Sequence, residues 1–185
     1  MGASVMLVDF RGSGGSSESY ATLGLLEAED VAAAVRYARK HLPHGAPEII
    51  LYGQSMGSAA ILRAIHELGI KPEGVILESV FDSMLGTVRN RFDAMGVPSF
   101  PAAELLVFWG GRQFGFNGFA HDPVEYAKSL ECHALFLHGR HVREGGRAVG
   151  GRDGEDAHLA RLHVRAGADR AGPARGQVPG DDVVH

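Results

Sequence analysis

The sequence predicts an α/β fold, a mostly parallel sheet with helices on both faces. Three observations carry that expectation. Four short apolar runs are each bounded by Gly, Pro or polar turn residues. Helical periodicities stand between them, and strand–helix alternation of this kind places parallel strands beneath crossover helices. The composition is that of a folded protein: 45% of the 185 residues are hydrophobic and 22% charged.

The four expected strands are Val5–Asp9, Glu48–Tyr52, Gly74–Glu78 and Ala134–His138. Between the first two, Leu25, Val31, Ala34, Val35, Ala38 and Leu42 recur at three-to-four spacing and stop before Pro43. Ala59, Ile61, Leu62, Ile65 and Leu68 form a second helical stripe, with Gly69 as its stop. Residues 80–120 break the alternation. They hold seven of the nine Phe and the only Trp, Trp109. Such a segment suits either a cap or lid over an apolar pocket or extra helices packed on the sheet.

Composition changes near residue 140. Of residues 141–185, 28 are Gly, Ala, Arg or Asp, and none is Phe, Tyr, Trp, Ile, Met, Lys, Ser or Thr. This tail is expected to bury too little apolar area to order itself. The predicted organisation is therefore a domain over 1–140, with 80–120 as a cap-like insertion, and a low-complexity tail over 141–185.

Several function classes are excluded. A net charge of −4 with pI near 6.2 argues against a general grip on nucleic acid. No apolar run reaches the length of a membrane span. A single Cys, Cys132, builds neither a disulfide framework nor a Cys-based zinc site. The ten His include no helical H-x-x-x-H pair with a third ligand, so no metal and no cofactor is expected. Gly12, Gly14 and Gly15 lack the spacing of a phosphate-binding loop. With no secretory signal visible, the cytoplasm is the expected location.

The informative stretch is Gly53-Gln54-Ser55-Met56-Gly57, a G-x-S-x-G directly after an expected strand and before an expected helix. A serine nucleophile needs a sharp, strained turn that lifts its Oγ above the carboxyl edge of the sheet. Flanking glycines let strand and helix approach closely. The helix N-terminus favours developing negative charge, and the Met56 N–H is placed as an oxyanion donor.

Further stretches extend the pattern in order. They are Val8-Asp9-Phe10-Arg11-Gly12-Ser13-Gly14-Gly15-Ser16, Leu77-Glu78-Ser79-Val80-Phe81-Asp82-Ser83, Asp122-Pro123-Val124-Glu125-Tyr126 and Leu135-Phe136-Leu137-His138-Gly139. Together with the elbow, the chain resembles the α/β-hydrolase superfamily over residues 4–140. It is most similar to the serine aminopeptidase/lysophospholipase-like branch. The resemblance implies hydrolysis of an ester, thioester or peptide bond through an acyl-serine on Ser55, with a small-molecule or lipid-like acyl substrate and no cofactor.

Departures from the pattern are equally specific. The family's early strands, and the loop that supplies a second oxyanion donor, have no counterpart, so the fold is expected to be incomplete at the N-terminus. Val142 stands where the resemblance puts the acid, and Arg170 near the histidine position. Glu78 and Asp82 are the substitute acids, and His158 and His163 the substitute bases. Arg161-Leu162-His163-Val164 looks like the family's last strand. A tail read partly in the wrong frame, or a divergent one, would account for the break. A catalytically inactive fragment or binding module is the competing expectation. Asp9 and Arg11 are expected to brace a loop.

Overall fold

The computed structural model describes residues 4–41 and 48–138, and the backbone alone of Gly139 and of residues 157–162. Helix α1 (Glu27–His41) precedes strand β1 (Ile50–Gln54), helix α2 (Met56–Leu68) and strand β2 (Gly74–Glu78). Helices α3 (Met84–Ala94) and α4 (Ala102–Phe114) follow, then a 3-10 turn (Gly118–Ala120), helix α5 (Pro123–Ala127), and strands β3 (His133–Gly139) and β4 (Ala157–Leu162). The sheet order is β1-β2-β3-β4. The first three strands are parallel, and β4 runs antiparallel to β3.

The architecture is that of an incomplete α/β-hydrolase-like sheet with helices, as the sequence predicts. Boundaries shift modestly. β1 starts and ends two residues later than expected, and β3 extends one residue at each end. One expected strand fails. Among the described residues Val5–Asp9 pairs with nothing, and Val5 and Leu7 are 81% and 91% exposed. A strand needs a neighbour to satisfy its backbone, and β2 is the only described strand that pairs with β1. Conversely, β4 falls inside the tail that composition marks as unstructured. Its strand holds Arg161 and Leu162 of the expected last strand and ends before His163. Val142, Arg170 and the rest of that tail lie outside the described residues.

α1 follows from its sequence. Glu27, Glu29 and Asp30 fill its first turn and Arg39, Lys40 and His41 its last, matching the helix dipole. Its start is fastened by the Leu26 N–H donating to Thr22 Oγ1 at 2.8 Å, while buried Glu27 accepts from the Thr22 N–H at 2.6 Å. Ala28, Val31, Ala32, Val35 and Ala38 face the core.

α2 buries Ser58–Leu62, Ala64 and Ile65 and leaves Arg63, His66 and Glu67 on its outer side. It packs on α1, on the sheet and on α5. Gly69 ends it in the left-handed conformation, φ 63°. The main core joins Ala28, Val31, Leu62, Ile65, Val75, Leu77 and Tyr126, with Phe10 and Phe136 against it.

Parity along the strands separates the sheet faces. Val75 and Leu77 are buried beneath the helices, while Ile50 and Tyr52, of opposite parity, are more than half exposed. Among the described residues α2 is the helix that packs on the sheet, and it covers one face, where the sequence predicts helices on both. Residues 80–120 form the α3–α4 pair, where Met84 and Val107 pack on Leu25. Phe100, Phe108 and Trp109 of this segment are exposed.

Candidate functional site at the strand–helix turn

β1 ends at Gln54 and α2 begins at Met56, so Ser55 alone makes the turn. Its backbone sits at φ 49°, ψ −109°. A non-glycine residue held there costs about 1–3 kcal/mol and persists only where its surroundings over-determine it. They do so here. The Ser55 N–H donates to the Glu78 carbonyl at 2.8 Å, and the Ser55 carbonyl accepts from the Ala59 N–H at 3.2 Å. The buried Ser58 hydroxyl lies 2.7 Å from the Gly53 carbonyl and 3.0 Å from that of Glu78, tying the first turn of α2 to both strand ends.

Only one of the two motif glycines is required for close approach. A Cβ on Gly53 would lie 2.6–2.8 Å from backbone atoms of Gly57 and Ser58. A Cβ on Gly57 would meet nothing closer than the Phe10 ring at 3.8 Å, an ordinary contact. The sequence expectation that both glycines serve the approach is corrected to Gly53. A third glycine shares the work. Gly24, at φ 99°, packs so tightly that a Cβ would lie 2.8–2.9 Å from Ala60 N, Ala59 Cβ and Met56 O.

Ser55 is exposed, and its Oγ has no hydrogen-bond partner among the described residues. The Met56, Gly57 and Ser58 N–H groups likewise have no acceptor among them, leaving the positive end of a 13-residue helix unpaired beside the hydroxyl. Ser79, at the end of β2, adopts a similar left-handed backbone, φ 50°, and its N–H donates to the Leu137 carbonyl at 2.8 Å. Two adjacent strand ends therefore turn at the carboxyl edge of the sheet.

The expected acids are engaged elsewhere. Glu78 accepts from the Tyr52 hydroxyl and from Gln54 Nε2 at 3.0 Å. That carboxylate pushes the Tyr52 phenol above its ordinary range. Asp82 Oδ1 accepts from the Ser83 N–H at 2.6 Å, in the loop before α3. Of the expected bases, the His158 backbone lies in β4 opposite His138, and His163 lies outside the described residues. His121 is buried, bonded to the Leu23 carbonyl and to Tyr126. Thus Ser55, Met56, Gln54 and Glu78 share one edge. Among the described residues, no imidazole is a hydrogen-bond partner of Ser55, Glu78 or Asp82.

A family model described as the alpha/beta hydrolase family matches residues 2–184. The chain belongs to the alpha/beta hydrolase family. No curated relative and no solved structure matches it. Hydrolysis is accordingly the general class of chemistry for this α/β hydrolase. Among its described residues no helix is long and apolar enough to cross a membrane, and no group of three or more His, Cys, Asp or Glu could hold a metal ion.

Three residues that position this hydrolase's turn escape the sequence reading. Ser58 follows the motif, and its hydroxyl is indistinguishable in sequence from a solvent-facing one. Gly24 looks like any loop glycine. Ser79 carries no sequence mark of a positive φ. Arg11 behaves as expected: its guanidinium holds Asp30 by two bonds of 3.0 and 2.8 Å, and the Asp9 carboxylate accepts from the Gly15 N–H at 3.1 Å.

Proposed function

We propose that this α/β hydrolase is a serine hydrolase of the serine aminopeptidase/lysophospholipase-like branch, cleaving an ester, thioester or peptide bond through an acyl-serine on Ser55. The observation that carries the reading is the strained backbone of an exposed serine beside unpaired helix N–H groups. Ser55 Oγ bonds to the acyl carbon while its proton passes to a histidine base. The carbonyl oxygen takes up the displaced electron pair and accepts from the Met56 N–H. Collapse expels the alcohol, thiol or amine, which receives the proton from the base. Water repeats the sequence and releases the acid.

His158 is the first choice of base. Its backbone stands at the carboxyl edge, three strand spacings or about 14 Å from β1, whose end carries Ser55. His163, just past β4, is the second. Asp82 suits the acid role better than Glu78, whose carboxylate is held by Tyr52 and Gln54. The exposed Phe108 and Trp109 of α4 favour a hydrophobic, lipid-like acyl group.

A second reading, a catalytically inactive binding module, is favoured by the missing partner of Ser55 Oγ among the described residues. A fluorophosphonate probe decides between them. Stoichiometric labelling of the folded protein, abolished by Ser55→Ala, supports the enzyme. No labelling of a soluble, cooperatively melting sample supports the binding module. Labelling lost in His158→Ala but kept in His163→Ala would assign the base.

A further inference from the structure

On the flank of the helix layer, α2, α5 and the turn after α4 enclose a cleft of about 680 Å³. Its polar centre is Arg63. Nη1 donates to the Tyr126 hydroxyl at 3.0 Å, and the guanidinium carbon lies 5.7 Å from the centre of the Tyr126 ring. Tyr126 is itself fixed. It is 4% exposed, and its hydroxyl lies 3.4 Å from both the Ala120 carbonyl and His121 Nδ1. His121 Nε2 faces the Leu23 carbonyl at 3.0 Å, so it carries the proton and Nδ1 is an acceptor. A chain of neutral groups therefore anchors one end of a cation.

That cation has no ion-pair partner among the described residues. A guanidinium has five N–H donors, and only one bond is made here. Two of the cleft's three acids are engaged by other partners. Asp122 Oδ1 accepts from the Val124 and Glu125 N–H groups, and Glu125 pairs with Lys128. Glu67, one helical turn beyond Arg63, makes no ion pair with it, although i,i+4 neighbours of opposite charge commonly do. Leu25, Phe116 and Phe119 form an apolar wall in the same cleft.

We propose that this cleft binds a monocarboxylate with an aromatic or similarly apolar body. The carboxylate is taken by the free fork of Arg63, whose planar donors match its geometry, and the body lies against Phe116 and Phe119. The cleft is distinct from the Ser55 turn. Eight residue steps, from Ser55 to Arg63, separate the two, about 12 Å at 1.5 Å per residue. The proposal does not depend on whether Ser55 is active.

The test is a ¹H–¹⁵N titration of the full chain, following the Arg63 Nε–H signal. The probes are 3-phenylpropanoate, inorganic phosphate and phenethylamine. We expect 3-phenylpropanoate to saturate with a dissociation constant on the order of 1 mM, as one ion contact and one ring allow. Arg63→Met should weaken it about tenfold or more, with the melting transition as control for folding. Glu67→Gln should tighten it, because a like charge is removed from the same cleft. Phosphate binding as well as 3-phenylpropanoate, or phenethylamine binding better than either, would overturn the proposal. So would unchanged binding in a folded Arg63→Met protein. Should Arg63→Met not fold, Glu67→Gln decides: unchanged or weaker binding of 3-phenylpropanoate overturns the assignment.

Discussion

Ser55 occupies a backbone conformation that its side chain disfavours, and the residues around it differ sharply in how much they matter. Gly53→Ala drives a methyl group into the backbone of α2, with contacts below 3 Å. It should destabilise the fold by about 1–3 kcal/mol, as overpacking does. Gly57→Ala meets only an ordinary contact and replaces glycine within a helix, so it should be neutral or stabilising by up to about 1 kcal/mol. Urea denaturation of the two variants checks the contrast. The motif was legible in the sequence, but the asymmetry between its glycines was not, because it depends on which side of the turn faces backbone. His121 supplies a second test. Burial pushes its imidazole below the ordinary range; Arg63 adds to this, while the Leu23 carbonyl, Glu27 and Asp122 oppose it. The unfolded chain therefore takes up the proton first. The stability that the neutral ring contributes is complete above about pH 6.5 and is lost as pH falls below that value. His121→Gln should flatten the fall in denaturation midpoint between pH 7 and 5.

At the scale of elements, α2 organises the molecule. It carries the turn at one end, the core along its length and Arg63 on its flank. Ser58→Ala removes the hydroxyl shared by the Gly53 and Glu78 carbonyls. A loss of about 1–3 kcal/mol is expected, since the buried carbonyls lose a donor. With the turn loosened, fluorophosphonate labelling at Ser55 should slow as well. Unchanged stability and labelling would show that the strand ends hold the turn without it. The loop before α1 is braced by Arg11. Burial alone would raise the Asp30 carboxyl, but the hydrogen bonds and charge of Arg11 outweigh it and hold the carboxyl below its ordinary range. This brace, the two central helices and the strands β2 and β3 were legible in the sequence. Each is encoded by local periodicity or by a motif whose partners lie close in the chain. Val5–Asp9 was misread because an apolar run states only that a segment can be a strand, whereas a ladder requires a partner.

For the whole molecule, the sheet is the exposed element. Among the described residues β1 is an edge strand, and Ile50 and Tyr52 present apolar surface on the face away from the helices. An open edge beside an apolar face is a template for pairing with another chain. Concentration-dependent association is expected by sedimentation velocity. Ile50→Lys, at a position 57% exposed, should suppress it with little change in melting temperature. A monomeric wild-type chain at all concentrations would show that this surface is covered.

The sequence by itself determined the α/β class, the succession α1, β1, α2 and β2 with β3 further on, and the serine between a strand and a helix. These follow from short-range signals: period, turn residues and a five-residue motif. Only the tertiary structure decided that Gly53 rather than Gly57 is sterically essential, and that Ser58 and Gly24 hold the turn. It also revealed that Glu78 is engaged by Tyr52 and Gln54, and that Arg63 stands in a cleft without an ion-pair partner among the described residues. Each of these depends on groups far apart in the chain meeting at ångström distances, which neither composition nor periodicity encodes.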